Sequence, residues 1–504
     1  MPSHPSLRSI PFGLVLLCLV LTSQPLTLAN PLQKANAFWH AKPTHQQQQA
    51  ITTTQAQQTP AHWVTSPSKE LAINAEFPLA TWWETFPSLT GLRTLIPQAL
   101  AANPTLQSIT QQVAIAQQQA KLSQAQQLPQ VGIGASYLQQ QYGKNQFLFP
   151  LQKRTFSSFQ TPLTLSYELD TWGKFQNRTQ QAKLGVLLAT TQVQSAKIQL
   201  ASLVASTYTN QVRLQDLLTL QQAVITTYQQ LLTHQQRLVA FQQAPSDSLI
   251  PYQQQMDVAK IDQQNWQASL QLAQHQLALL LGQTPANFSK TVDATTTDTF
   301  IGQAFPTTLA GGHPSELVLH RPDVQAVELQ LKQAGIDIVI ARKEFLPSLK
   351  LTASTGLASV GLNNLFKWSS LSSYFQPSIS QPLFTGGRLK AQLKISQLQY
   401  EQLLKTYLGT LQTAFTEVED ALAMASANAT IFQQVAEQAQ LAQQAEIQAT
   451  KRWNASIAGK MPVLQARLNQ LSYQQASIQQ VAQGVIDSIT LTKALGGGLP
   501  PLSI

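Results

Sequence analysis

The chain has 504 residues, 43% of them hydrophobic and only 11% charged, with a formal net charge of +9. That charge is spread thinly, with no basic run longer than a pair, which argues against nucleic-acid binding. The one cysteine, Cys18, lies in an N-terminal apolar segment, so a mature chain has no disulfide or thiolate site to offer.

Residues 10–21 are apolar, follow Arg8 and precede Thr27-Leu28-Ala29. This reads as a secretory signal peptide, residues 1–29, cleaved after Ala29. An uncleaved anchor is the competing reading. A lipid-modified Cys18 is disfavoured, because Leu16 and Leu17 put bulk where such a site wants a small residue. No later run of about 18 apolar residues exists, so membrane spanning would fall to strands.

Residues 30–78 form a low-complexity leader, with glutamines at 46–49 and a Thr/Gln tract after them, expected to be disordered or loosely draped. Order is expected near Trp82-Trp83. Residues 92–128 read as helix, restarted at Asn103-Pro104, where proline suits a first helical turn. After Pro129 the period changes to two. Val131, Ile133, Ala135 and Tyr137 alternate with polar or glycine positions. A return strand places Leu163, Leu165, Tyr167 and Leu169 on one face and Thr164, Ser166, Glu168 and Asp170 on the other, with a loop expected over 139–158.

Two long stretches follow the helical period instead. In 176–241 the apolar rows are Leu217, Val224, Leu231, Leu238 and Leu218, Ile225, Leu232, Val239. In 388–453 they are Leu404, Leu411, Val418, Ala425, Phe432 and Leu408, Phe415, Leu422, Ala429, Ala436. Neighbouring rows with a seven-residue repeat predict helices packed lengthwise on other helices. About 65 residues at 1.5 Å each make a rod of roughly 100 Å, too long for one globular core. The rods are expected to turn back near 242–248 and 454–461, with return helices over 249–281 and 462–493.

The chain repeats itself. Pro104 and Pro129 are 25 apart, as are Pro322 and Pro347; Thr171-Trp172-Gly173-Lys174 answers Thr385-Gly386-Gly387-Arg388; Leu281-Gly282 answers Leu495-Gly496. This is a tandem duplication, with a first repeat over 79–282, a Thr/Pro/Gly-rich linker over 283–319 expected to wrap outside the rods, a second repeat over 320–499 and a tail over 500–504. The second copy's strands carry Leu349, Leu351 and Ala353 against Lys350, Thr352 and Ser354, then Phe375, Pro377, Ile379, Gln381 and Leu383 on one face. Strands oily on one side and polar on the other fit a transmembrane β-barrel wall. Four strands cannot close a barrel, and open edges are not tolerated in lipid, so several copies must contribute to one barrel. The fold class is therefore mainly α with a small transmembrane β part: a tall helical bundle or tube with an oligomeric β-barrel.

Enzyme chemistry finds little support. The eight histidines are scattered and none forms a metal-spaced pair on a helix face. Glu417, Glu419 and Asp420 are the densest acid group, read as a solvated or inter-helix polar cluster, with a cation site inside a duct as the sharper alternative. Four methionines argue mildly against a copper-specific duct. Gly173, Gly386 and Gly387 mark strand-to-helix turns rather than phosphate loops. No catalytic residue, cofactor or resident metal is expected.

Several short motifs, in order, carry a resemblance. They are Trp82-Trp83, Ala99-Leu100-Ala101-Ala102-Asn103-Pro104, Tyr167-Glu168-Leu169-Asp170-Thr171-Trp172-Gly173-Lys174, Arg321-Pro322-Asp323-Val324, Phe345-Leu346-Pro347-Ser348-Leu349, the run from Phe415 to Leu422, and Lys493-Ala494-Leu495-Gly496-Gly497-Gly498. On these the chain resembles the TolC-like outer membrane efflux protein family, in its multidrug-efflux (NodT-type) branch. The resemblance implies a homotrimer in the Gram-negative outer membrane, its β-barrel continued by a long α-helical barrel across the periplasm; the residues before Cys18, not the resemblance, argue against a lipid anchor. The trimer's strands face outer membrane lipid, and a periplasmic adaptor and an inner-membrane pump dock at the lower tips. The expected docking positions are Arg237, Phe241, Ala244, Asp247, Arg452, Ser456, Gly459 and Pro462. The tips depart from the family pattern: Phe241 and Ser456 stand at the expected glycine positions, Asp247 keeps the first acid and Pro462 replaces the second. Pro462 and Gln465, which match an acidic ring of related ducts, are uncharged. A duct for type I protein secretion and a non-channel periplasmic scaffold of coiled rods remain the alternative readings.

Overall fold

The computed structural model describes residues 72–74, 79–143, 154–292, 298–306, 308–310 and 321–497. The expected signal peptide with Cys18, most of the leader, and the tail over 500–504 lie outside these residues.

A three-residue strand, β1 (Ala72–Asn74), comes first. A 3-10 turn, Leu79–Thr85, then buries Trp82 edge-on to Trp83 and Phe86. Helix α1 (Leu92–Ala102) stops before Pro104, and α2 (Pro104–Ala125) begins on that proline. The Asn103 side chain accepts the Leu106 N–H at 3.0 Å, satisfying one of the free donors of the new helix. Strands β2 (Gln130–Ile133), β3 (Ser136–Gln141) and β4 (Thr155–Leu169) follow, then α3 (Lys174–Ala240), α4 (Ile250–Leu280), the short α5 (Pro285–Val292) and β5 (Thr308–Ala310). The second half supplies α6 (Pro322–Lys343), β6 (Ser348–Ser359), β7 (Leu371–Ser380), α7 (Arg388–Asn454) and α8 (Met461–Ala494).

Helices α3 and α7 are each 67 residues long and α2 and α6 each 22. At 1.5 Å per residue the long pair are rods of about 100 Å. Each starts from a glycine in the left-handed region, Gly173 at φ 68° and Gly387 at φ 85°, a conformation that a side chain resists. The rods pack as hairpins, α3 on α4 and α7 on α8, with α2 and α6 laid along their strand-proximal halves and α8 also against α3. Of the predicted rows, Leu217, Leu231, Ile225, Leu411, Val418, Leu422, Ala425 and Ala429 are buried.

The largest core sits at mid-height, where Leu89, Leu92 and Ile96 meet Tyr208, Leu277, Leu281, Phe288, Phe300, Ile478 and Val485. Phe305 reaches a second cluster with Val418, Leu422 and Leu491. Residues 298–306 are thus strapped across the rods by two buried aromatics.

The sheet runs β2/β3, β4, β6, β7, antiparallel throughout. Strands β2 and β3 share one register on β4, Ile133 opposite Leu163 and Ser136 opposite Gln160. The gap falls opposite Pro162: Gly134 N–H donates to its carbonyl at 3.0 Å, but proline has no N–H to return the bond.

Four expectations are corrected. The 139–158 loop is shorter, because β3 reaches Gln141 and β4 begins at Thr155; residues 144–153 lie outside the described residues. Strand β7 ends at Ser380, opposite the first residue of β6, so Gln381 and Leu383 have no partner strand to continue along. The leader contains β1, which pairs in parallel with β5. The helix expected to reach 128 ends at Ala125.

Candidate functional site

Three levels of the molecule bear on function: the sheet, the mid-height joints and the far tips.

Residues paired across an antiparallel sheet share a face. One face carries the rows Leu169, Leu349 and Ile379; Tyr167, Leu351 and Pro377; Val131, Leu165, Ala353 and Phe375; and Ile133, Leu163, Thr355 and Ser373. The other carries Glu168, Lys350 and Ser378; Gln130, Ser166, Thr352 and Gln376; and Thr164, Ser354 and Tyr374. The predicted face of Leu163, Leu165, Tyr167 and Leu169 is therefore continued across every neighbouring strand. Val131, Ile133, Phe375 and Ile379 are 65–82% exposed, an oily surface that this copy alone leaves open.

Below the sheet, Asp170 caps α3 by accepting from the N–H groups of Phe175 (3.1 Å) and Gln176 (2.8 Å). Trp172 donates its indole N–H to the Pro347 carbonyl at 2.7 Å, tying the two repeats. Lys174 pairs with Glu168 and Arg178 with Glu344, each at 3.2 Å. Gly386, like Gly173 and Gly387, has positive φ, so all three expected turn positions are turns.

At mid-height, Asp298 accepts from the Tyr208 hydroxyl, the Gly91 N–H and the Thr90 hydroxyl at 2.6–2.9 Å. Asp216 accepts from the Phe300 N–H and the Thr299 hydroxyl. Burial pushes the Asp216 carboxyl above its ordinary range, against the pull of those two donors. In the second repeat, buried Arg321 donates to the Ala494 carbonyl at 2.8 Å, to Asp323 at 2.8 Å and to Glu417 at 2.6 Å. Burial opposes the Arg321 charge, but the two carboxylates outweigh it and hold the guanidinium above its usual value. These groups line a cavity of about 530 Å³ with Asp420, Asp487 and Lys493. Of the predicted acid group, Glu417 and Asp420 share this cavity and Glu419 does not line it. Among the described residues no group of three or more His, Cys, Asp or Glu could hold a metal ion.

At the tips both hairpins turn with the same backbone. Gln243 N–H reaches the Leu238 carbonyl and Ile457 N–H the Arg452 carbonyl, both at 2.9 Å or less, the bonds of a Schellman ending. The left-handed residues are Gln242 (φ 57°) and Ser456 (φ 59°). Ser456 is where glycine was expected; in the first tip the position is Gln242, because Phe241 has φ −90°. Phe241 is 75% and Ile457 77% exposed. Of the other expected tip residues, Arg237, Asp247, Arg452, Gly459 and Pro462 are exposed and Ala244 half-buried.

The sequence does not single out Asn103 and Arg321 as donors, Asp216 and Asp298 as strap anchors, or His234 at the tips. A signal for the first pair was available, since both precede the proline that opens an equivalent helix.

The profile of the outer membrane efflux protein family matches residues 95–283 and 313–497. The chain belongs to this outer membrane efflux protein family. It is 33% identical over 359 residues to the solvent efflux pump outer membrane protein SrpC of Pseudomonas putida, covering 68% of this chain and 72% of that one. Among solved structures it resembles the outer membrane protein VceC of Vibrio cholerae, with 25% identity, TM-score 0.72 and coverage of 84% and 100%. It equally resembles the open state of the MtrE outer membrane channel of Neisseria gonorrhoeae, with 26% identity, TM-score 0.72 and coverage of 88% and 98%. The outer membrane efflux protein described here thus has the helical barrel and β-barrel parts of that fold, and its family is one of channels.

Proposed function

We propose that this efflux protein is the outer membrane duct of a tripartite pump, passing small molecules unaltered from a periplasmic adaptor and inner-membrane pump to the exterior. The observation that carries the reading is the sheet. It is apolar over one face, polar over the other, and unpaired at the outer edges of β2/β3 and β7 among the described residues. Such a sheet is stable in lipid only when closed. Three copies would bring about twelve strands into one barrel, with the Leu163, Leu165, Tyr167 and Leu169 face toward lipid and the Ser166 and Thr352 face toward water. The rods beneath it, with their Gln- and Thr-rich surfaces, would continue the conduit across the periplasm. The division into repeats over 79–282 and 320–499 about a linker belongs to this reading, as does the absence of any chemical step.

Single-channel recording of the purified protein in a planar bilayer tests it. Discrete, stable conductance steps from a trimeric species are expected; a detergent-soluble monomer with no conductance overturns the proposal. The wall is tested separately. Leu165→Arg is expected to cost about 2–4 kcal/mol near the bilayer midplane and to reduce trimer yield, while Ser166→Arg assembles normally. Equal loss of trimer from both variants, or the reverse order, would show that the strand faces are misassigned.

A further inference from the structure

Between the two tips lies a notch with only positive charge in its walls. His234 and Arg237, near the end of α3, and Lys460, just before α8, line it with Thr226 and Thr233, enclosing about 240 Å³. Among the described residues none of the three is in an ion pair. The Lys460 ammonium instead sits over the Trp453 ring, 5.8 Å from its centre. Arg467, higher on the same hairpin, is by contrast neutralised by Glu446 at 3.3 Å. Across residues 230–256 and 447–466 the fixed charges are Arg237, Lys451, Arg452 and Lys460 against Asp247 alone. The first tip therefore balances Arg237 against Asp247, the second carries an excess of positive charge in Lys451, Arg452 and Lys460, and a ring of copies would repeat it.

The rims of the tips are apolar. Phe241 is 75% exposed, Ile457 77% and Ile250 55%. Phe241 and Ile457 each neighbour the turn residue, Gln242 or Ser456, that occupies the left-handed region. Exposed charges far apart are screened over about 8 Å in physiological salt. A carboxylate brought into the notch is close enough to escape that screening, and apolar side chains packing on the rim would exclude water around it.

We propose that the paired tips of each copy form a docking surface for a partner segment bearing an aspartate or glutamate, which enters the His234–Arg237–Lys460 notch while apolar neighbours pack on Phe241 and Ile457. The inference rests on the duct reading and gives its adaptor a chemistry: acidic at the contact, not basic. Like charges brought together at an interface are strongly disfavoured, so the same notch rejects adaptors with basic tips.

The test uses the full-length protein in cells that export through it. Membranes are treated with a water-soluble carbodiimide, which joins a lysine amine to a carboxylate in contact with it, and the products are mapped by mass spectrometry. The expected product links Lys460 to an Asp or Glu of a periplasmic protein, and Lys460→Arg abolishes it. Arg237→Glu with Lys460→Glu is expected to reach the outer membrane as trimer but to lower export by about tenfold or more, since the steering and pairing terms both reverse sign. Changing the mapped acid to lysine is expected to restore export. Cross-links from Lys460 only to Asp247 of a second copy, or undiminished export by the doubly reversed variant, overturn the proposal. Failure of the duct reading would show separately, as absence of conductance in the unaltered protein.

Discussion

The two repeats solve one structural problem with different chemistry. In each, the chain turns into a helix on a proline, and the residue before that proline ties the turn to the end of the return helix. In the first repeat the Asn103 amide donates to the Leu280 carbonyl at 2.9 Å. In the second the Arg321 guanidinium donates to the Ala494 carbonyl at 2.8 Å. Leu280 and Ala494 are the last residues of α4 and α8, where carbonyls lack helical partners. The fold requires a donor here but leaves open what carries it. Asn103 adds an N-cap; Arg321 adds two carboxylate partners and a cavity. Duplication thus preserved the backbone, including both 67-residue rods, while the side chains that lock it diverged.

The largest expected effects come from removing the two donors. Arg321→Ala leaves the Ala494 carbonyl, Asp323 and Glu417 without their common partner, and hydrogen bonds to charged groups are worth about 1.5–3 kcal/mol. Asn103→Ala loses one neutral bond and one cap, about 1–2 kcal/mol. Denaturant midpoints of the purified assembly should rank the variants in that order. Equal losses would mean that the carboxylates add nothing to the second joint.

A second contrast lies in the strands. Gly356 of β6 faces Pro162 of β4, and a methyl group added there would run into the Thr161 carbonyl and the Pro162 backbone. Gly132 of β2 has its nearest neighbour, the Thr164 hydroxyl, at an ordinary 3.6 Å. Gly356→Ala should therefore cost about 1–3 kcal/mol through strain, and Gly132→Ala should fall within about 0.5 kcal/mol of the parent. Comparable thermal midpoints for the two would show that β4 and β6 separate freely at the proline.

What the sequence revealed follows the same division. The rods were legible because Leu217, Leu231, Leu411 and Val418 repeat on fixed rows, and the sheet faces because Leu163 to Leu169 alternate cleanly. The duplication was legible in its prolines and glycines, residues whose backbone restrictions outlast changes around them. Legibility ended where contrast ended. Strand β3, with Ser136 and Gln139 to Gln141, has little hydrophobic alternation to mark it. Strands β1 and β5 are three residues each, too short for any period. The donors at the joints were harder to see because Asn103 and Arg321 look nothing alike; only their common place before a helix-opening proline marks the equivalence, which the Leu280 and Ala494 carbonyls make plain. At the first tip a one-residue error placed the turn at Phe241, since nothing in Phe241-Gln242 marks which residue takes positive φ.

The smallest expected effect separates the joints by pH. Asp323 is partly buried, which alone would raise its pKa, but the hydrogen bond and charge of Arg321, with backbone N–H donors, lower it. A carboxyl depressed in the folded state contributes stability above its unfolded value, about 3.9, and that contribution is lost as pH falls through the lower folded value. The Asp323 side chain is 46% exposed, so solvent screening keeps the effect modest. The first joint pairs an amide with a carbonyl and has no proton to gain. The cost of Asn103→Ala should therefore stay level from neutral pH down to about pH 3, while the cost of Arg321→Ala shrinks below about pH 4 as Asp323 takes up its proton. Asp216 works in the opposite sense. Its raised pKa means that its own contribution is full below the unfolded value and declines as pH rises through the folded one. Asp216→Asn should accordingly flatten the stability profile above about pH 4, and Asp323→Asn should flatten it below. Stability curves of the parent and the four variants across this range decide the matter: an acid-side loss that survives Asp323→Asn would assign it to carboxylates outside the joint.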